Sequence, residues 1–156
     1  MSKQAEILEK LAKILSQDQI NTDPEDLYDA AADRYKKYAK ARRVLDVPMP
    51  TAIVYPKTTE EVARLLVFCN GNQINVIPRS GKTATEGGLE NWKESTLVID
   101  ALHLDDIIRI DEYNMQATVQ AGVALQRLEE ELVKRGLTTG HSPQSKPVAK
   151  LGGLVA

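Results

Sequence analysis

The run VIPRSGKTATEGG, residues 76–88, gathers the residue types that could hold an anionic ligand directly after an apolar, strand-like segment. Gly81, Lys82 and Thr83 match the last three letters of the nucleoside-triphosphate loop G-x-x-x-x-G-K-[ST], in which backbone amides cradle phosphates and the lysine reaches them. The motif also needs a glycine where Val76 stands, and a helix where ATEGG follows. Both requirements fail, which disfavours a triphosphate site built on Lys82. The dinucleotide fingerprint G-x-G-x-x-G is absent as well, because Gly81, Gly87 and Gly88 have the wrong spacing. What remains is a Pro78-Arg79 turn followed by the small residues Ser80, Gly81, Thr83 and Ala84. Small side chains admit a ligand close to the backbone, and successive N–H groups in such a turn form an anion-binding nest. The same residues also suit a tight connection whose glycines merely supply positive φ angles, so local chemistry leaves both readings open.

The flanking elements follow from periodicity. TAIVYP predicts a short strand stopped by Pro56. Thr58 and Glu61 form a capping-box signature, Val62, Leu65, Leu66 and Cys69 recur at helical spacing, and Gly71 ends the run. INVIP, residues 74–78, is the next strand, so residues 51–78 read as a βαβ unit with parallel strands. STLVID, residues 95–100, is another strand. Residues 107–123 then read as a hairpin, with Ile108 and Ile110 on one face before a DEYN turn and Ala117, Val119 and Ala121 alternating after it. A second amphipathic helix carries Leu125, Leu128, Leu132 and Val133 and stops at Gly136. The tail LTTGHSPQSKPVAKLGGLVA is loop-like. It closes on apolar residues, so the chain is expected to be cut inside a larger domain, with an unfinished sheet edge open to self-association.

Residues 1–47 form a helical lead-in. Ile7, Leu8, Leu11, Ile14 and Leu15 share one face of a first helix. Residues 23–43 predict a second, acidic at its start and basic at its solvated end, as the helix dipole favours. VPMP, residues 47–50, is the linker into the domain of residues 48–156. The fold class is α+β: a βαβ unit followed by antiparallel strands and a helix.

Composition excludes several classes. A chain of 156 residues with 42% hydrophobic and 27% charged residues suits one soluble globular domain. A net charge of −2 argues against nucleic-acid binding. Cys69 is the single cysteine, which excludes an internal disulfide and fits a reducing, cytoplasmic setting; on its apolar helix face it reads as a packing residue. No apolar run approaches the roughly 20 residues of a transmembrane helix, and the N-terminal stretch is amphipathic rather than a signal peptide. His103 reads as a structural or surface residue, and His141 has no partner in sequence that would make it catalytic.

Four ordered segments carry a resemblance: PTAIVYPKTTEEVARLLVFCN, INVIPRSGKTATEGG, STLVIDALHLDDIIRIDEYNMQATVQAGVALQRLEEEL and GHSPQSKPVAKLGG. Together they resemble the FAD-linked oxidases of the vanillyl-alcohol oxidase and p-cresol methylhydroxylase type. The branch is that of D-lactate dehydrogenases, glycolate oxidase flavoprotein subunits and alkylglycerone-phosphate synthase, and the likeness covers about residues 20–156. It implies the first subdomain of a p-cresol-methylhydroxylase-type FAD-binding domain, with FAD as cofactor. It further implies that Pro78, Arg79, Ser80, Gly81, Lys82, Thr83 and Ala84 wrap the FAD pyrophosphate, with Gly87 and Gly88 closing the loop. Pro143, Ser145, Gly152 and Gly153 are implied to line the flavin.

Two departures stand out. The family loop reads R-G-G-G-T-S or close to it, whereas this one reads R-S-G-K-T-A, with Ser80 and Lys82 in place of glycines. At positive φ, Lys82 would be strained by roughly 1 kcal/mol or more; alternatively, its ammonium could pair with the pyrophosphate. The family's FAD domain also continues past the glycine pair, and a further domain carries the histidines and arginines used on hydroxy acids. The chain is therefore expected to hold the phosphate side of the cofactor, with no catalytic residue and no metal site. The intact protein would oxidise a 2-hydroxy acid such as D-lactate or glycolate and pass electrons to an acceptor. An alkylglycerone-phosphate-synthase-like flavoprotein and a structural module without flavin are the alternatives.

Overall fold

The apolar stretches at residues 52–54, 75–79 and 96–100 pair into one sheet in the computed structural model, which describes residues 3–33 and 47–156. The described chain divides into two compact units. One comprises Met1–Arg79 and Ala84–Asp100, the other Ser80–Thr83 and Ala101–Ala156.

In the first unit, β1 (Ile20–Asn21), β2 (Ala52–Val54), β3 (Asn75–Arg79) and β4 (Thr96–Asp100) are ordered β1-β2-β4-β3. β2 and β3 are parallel, as the βαβ reading requires, but they are not neighbours. β4 lies between them, with Val98 opposite Ile53 on one side and Ile77 on the other. Every residue of β4 is buried, the pattern of a strand covered on both faces. β1, antiparallel to β2, was not foreseen, since two residues carry no periodicity.

Alternation along the strands builds two cores. Ala52, Val54, Leu97 and Ile99 pack with Ile7, Leu11 and Leu15 from α1 (Lys3–Leu11) and the residues after it, and with Leu65 and Cys69 from α3 (Thr59–Gly71). Ile53, Ile77 and Val98 pack with Leu27 and Ala30 of α2 (Pro24–Ala30). α2 starts where its sequence says it should: Pro24 follows Asp23, whose carboxylate accepts from the Glu25 and Asp26 amides at 2.9 and 3.2 Å. The remainder of the helix expected over 23–43, including its basic end, lies outside the described residues.

α3 is capped by Thr58, which accepts from the Glu61 amide at 3.1 Å. Glu61 does not close the box on Thr58. Its carboxylate accepts from the Lys57 amide at 2.7 Å and from Gln19 Nε2 at 2.8 Å. The apolar face is also rotated from the expected one: Phe68 joins Leu65 and Cys69, while Leu66 is 48% exposed. Burial pushes the Cys69 thiol up to about 11, consistent with packing rather than reactivity. The positive φ after the helix belongs to Gln73, not Gly71, and a Cβ at Gly71 would meet nothing within 4 Å. Gly71→Ala is therefore expected to stabilise the chain by about 0.5 kcal/mol, read as a higher urea midpoint at unchanged slope.

In the second unit, β5 (Ile107–Asp111) and β6 (Gln116–Val119) form the expected hairpin. A bulge between Ile107 and Arg109 resets its phase, so Ile107, Ile110 and Val119 pack inward and Ile108 is 63% exposed. α4 (Leu125–Val133) buries Leu125, Leu128 and Leu132, but its fourth inward residue is Glu129, and Val133 is exposed. Gly136, at φ 70, ends the turn after it. The tail is tied down: Leu125 N donates to Ala149 O at 3.0 Å, Leu151 N to Val123 O at 2.9 Å and Gly152 N to Ala121 O at 2.9 Å. A short α5 (Leu151–Val155) follows. Both units thus mix helices and strands, the α+β class expected. Among the described residues, no helix is long and apolar enough to cross a membrane.

Candidate functional site

Parallel neighbours β3 and β4 cannot be joined by a tight turn, and their connection, residues 80–95, contains neither helix nor strand. Irregular connections of this length are commonly functional. In the first unit its origin is pinned by charge. Arg79 and Asp100 face each other at the ends of β3 and β4, and Arg79 Nε donates to Asp100 Oδ2 at 2.6 Å with both side chains buried. The guanidinium implied for a ligand is thus committed to Asp100, and beside the exposed Pro78 the chemistry left for a ligand is that of the backbone.

The far half of the connection is held in the same unit. Gly87, at φ 87, donates its amide to Oδ2 of the buried Asp33 at 2.5 Å. Gly88 sits opposite Ala84, whose Cβ lies 3.7 Å from where a Cβ on Gly88 would stand. The fully buried Asn91 takes its amide to Ala31 O at 3.0 Å and its Nδ2 to Pro48 O at 2.7 Å. Asp33, Asn91 and Asp100 were not foreseen as parts of this loop.

Residues 80–83 belong with the second unit. A Cβ on Gly81 would lie 2.7 Å from Val148 O and 3.0 Å from Lys150 N, so this glycine is required by close backbone approach. Ser80 Oγ lies 3.6 Å from the Cβ position of Gly153. Lys82 is exposed and takes φ 55, the left-handed conformation that nests incorporate. Among the described residues, no chain group accepts from the amides of Ser80, Gly81 or Thr83. Residues 78–84 contain no acid. Backbone amides with no acceptor among the described residues are donors of the kind a pyrophosphate takes.

The surface under this loop is built from the tail. Ser145 O accepts from Val148 N at 2.9 Å and Ala149 N at 2.7 Å, and Pro143 O accepts from Lys146 N at 3.0 Å. Pro143 and Ser145 thus act through their backbone, turning the chain so that residues 148–150 meet Gly81. A Cβ on Gly152 would lie 2.8 Å from Ala121 Cβ, which keeps residues 149–152 flush against 121–125.

Glu129 fixes the start of the same tail. Its carboxylate accepts from Thr139 N at 2.6 Å, Thr138 Oγ1 at 3.0 Å and the Thr139 hydroxyl, with Lys146 Nζ at 3.5 Å. The Thr139 hydroxyl and amide hold its carboxyl at about 2. A depressed carboxyl contributes stability above its unfolded value, near 4.3, and loses it as pH falls through the folded value. Stability should therefore drop between about pH 4.5 and 2. Glu129→Gln should cost about 2 kcal/mol at neutral pH and flatten that part of the profile, measured by urea unfolding across pH. His141 is exposed beyond these threonines and donates its backbone N–H to Thr139 Oγ1 at 3.3 Å; the His103 side chain is also exposed.

Residues 50–156 match the protein family described as FAD binding domain. Over 97% of its length the chain is 46% identical to the uncharacterized FAD-linked oxidoreductase YgcU of Escherichia coli K12, of which it covers 31%. Over 85% of its length it is 30% identical to the mitochondrial D-lactate dehydrogenase [cytochrome] 1 of Saccharomyces cerevisiae, of which it covers 25%. Among solved structures, an alkyldihydroxyacetonephosphate synthase superposes with a TM-score of 0.86 at 27% identity, covering 97% of this chain and 31% of that one. The chain spans no more than 31% of the length of these relatives.

Proposed function

The chain belongs to the FAD binding domain family, and we propose that residues 80–83 hold the FAD pyrophosphate in a flavin-dependent oxidoreductase acting on a 2-hydroxy acid such as D-lactate or glycolate. FAD is the cofactor of the family to which the chain belongs. The observation that carries the assignment to this loop is the set of amides at Ser80, Gly81 and Thr83 that have no acceptor among the described residues, with Gly81 packed onto residues 148–150. The likeness to D-lactate dehydrogenase supports the substrate class. When bound, the flavin supplies a hydride acceptor for the hydroxy acid's α-hydrogen. This chain's own residues would bind and orient: the backbone N–H groups of Ser80, Gly81 and Thr83 would donate to the phosphates, and Gly153 would give the cofactor close access to the backbone. Its buried cysteine suits the cytoplasm. A hydroxy-acid pocket and an electron-acceptor site are assigned to the rest of a relative-sized protein, and β3, which ends the four-stranded sheet among the described residues, is the candidate edge for self-association.

Titrating the chain with FAD should quench flavin fluorescence saturably; no quenching by a chain shown to be folded would remove the reading. The 156-residue chain alone should not turn over D-lactate or glycolate, and turnover would contradict the division of labour. The structural match to alkyldihydroxyacetonephosphate synthase favours one second reading, a flavoprotein of that kind without net redox change. The two separate in a protein with the whole domain: anaerobic D-lactate or glycolate bleaches the oxidised flavin in the first case and leaves it unchanged in the second.

A further inference from the structure

We propose that the helical lead-in is a working part of the cofactor site. Asp33 is a positioning residue that holds the connection after β3 in its binding conformation, so that FAD binding and the grip of the lead-in on residues 87–91 favour one another. The inference rests on the reading of residues 80–83 as the pyrophosphate cradle.

The family match begins at residue 50, yet Ala31, Asp33 and Pro48, all N-terminal to it, hold the far half of the connection. Gly87 N donates to Asp33 Oδ2 at 2.5 Å, Asn91 N to Ala31 O at 3.0 Å and Asn91 Nδ2 to Pro48 O at 2.7 Å. Between them Leu89 packs on the core that Leu27 and Ala30 of α2 share with Ile53, Ile77 and Val98. Asp33 and Asn91 are 1% and 0% exposed, and buried polar groups of this kind are costly to leave unpaired. Gly87, at φ 87, could populate many conformations as a glycine, and the bond to Asp33 selects this one. Arg79, held by Asp100, fixes the other end of the loop. With Gly87 held as well, the span left to order on binding shrinks from residues 80–95 to residues 80–86, which lowers the conformational entropy that binding must overcome. A ligand for residues 80–83 then meets a loop already near its bound shape, so Asp33 acts on affinity through Gly87 by preorganisation. Linkage makes the effect reciprocal: what the Asp33 bond adds to FAD binding, bound FAD adds to the Asp33 bond.

The test compares the parent chain with Asp33→Ala, Asp33→Asn and Leu65→Val, by FAD titration followed through flavin fluorescence and by amide hydrogen exchange with and without FAD. Asp33→Ala loses the acceptor and should bind FAD roughly tenfold more weakly. Without ligand it should exchange faster at residues 84–91 while β4 stays protected. Asp33→Asn keeps a side-chain oxygen and should recover most of the affinity. Leu65→Val loosens the core that α2 does not join and should leave FAD affinity unchanged. In the parent, FAD should slow exchange at Leu27 and Ala31 relative to β4, and this protection should vanish in Asp33→Ala; a bond with only a structural role would show neither. Asp33→Ala binding FAD as tightly as the parent, or Asp33→Asn binding as weakly as Asp33→Ala, would overturn the proposal and leave the cradle standing. So would exchange at Leu27 and Ala31 of the parent that FAD leaves unchanged, a result that needs no variant to fold. A folded parent chain that binds no FAD would remove the cradle and this inference together.

Discussion

Gly122→Ala should destabilise the chain by at least about 3 kcal/mol and take apart the surface on which residues 80–83 rest. An alanine Cβ there would lie 1.9 Å from Ala101 O and 2.7 Å from Leu104 O. Both obstacles are backbone carbonyls, so no rotamer change relieves them. The Gly122 amide donates to the same Leu104 carbonyl at 2.8 Å, which clamps residues 121–125 to the turn at 101–104. Residues 121–125 in turn pair with 149–152, and Gly81 packs on 148–150. Amide hydrogen exchange should show protection lost at Leu125, Leu151 and Gly152 together. Protection unchanged at all three would mean that the clamp is softer than its distances imply.

Asp100→Ala comes next in size, at roughly 3–5 kcal/mol, because it strands a buried guanidinium. Arg79 and Asp100 are 6% and 2% exposed, so water cannot replace the lost partner. The cost should lie in the orphaned charge more than in the pair itself. The double variant Arg79→Met with Asp100→Leu should therefore recover most of the loss, as apolar replacement of buried ion pairs often does. Urea unfolding of the single and double variants separates the two. A double variant as unstable as Asp100→Ala would show instead that the pair has a net worth the apolar side chains cannot match.

Much of this architecture was legible because it is periodic. The strands at 52–54, 75–79 and 96–100, the hairpin at 107–119 and the helices at 59–71 and 125–133 each announce themselves through spacing and stop signals. The order of strands was not legible, since three similar apolar runs do not say which one lies between the others; pairing decided that. Spacing also failed where one residue shifts a phase. The bulge after Ile107 exchanges Ile108 for Ile107 on the inner face, and Glu129 takes the position inside α4 that Val133 was expected to fill.

The loop was conspicuous, but its supports were not. Asp33 reaches Gly87 across 54 positions and Asp100 reaches Arg79 across 21, and polar partners that far apart leave no local signal. The glycines were visible, yet Gly81 and Gly122 are glycine because other backbone passes close by, a constraint that exists only after folding. Pro143, Ser145, Gly152 and Gly153 stood out through family resemblance alone. Periodicity reads that segment as an unstructured tail, whereas the chain pairs it with residues 121–125.

The central claim is that this loop grips the phosphates of FAD rather than its ring. Competition measures that most directly: FAD is bound to the folded chain, and ADP or riboflavin is titrated in while flavin fluorescence is followed. ADP, which carries the pyrophosphate without the flavin, should displace FAD, and riboflavin, which carries the ring without phosphate, should not. Displacement by riboflavin with none by ADP would contradict the account.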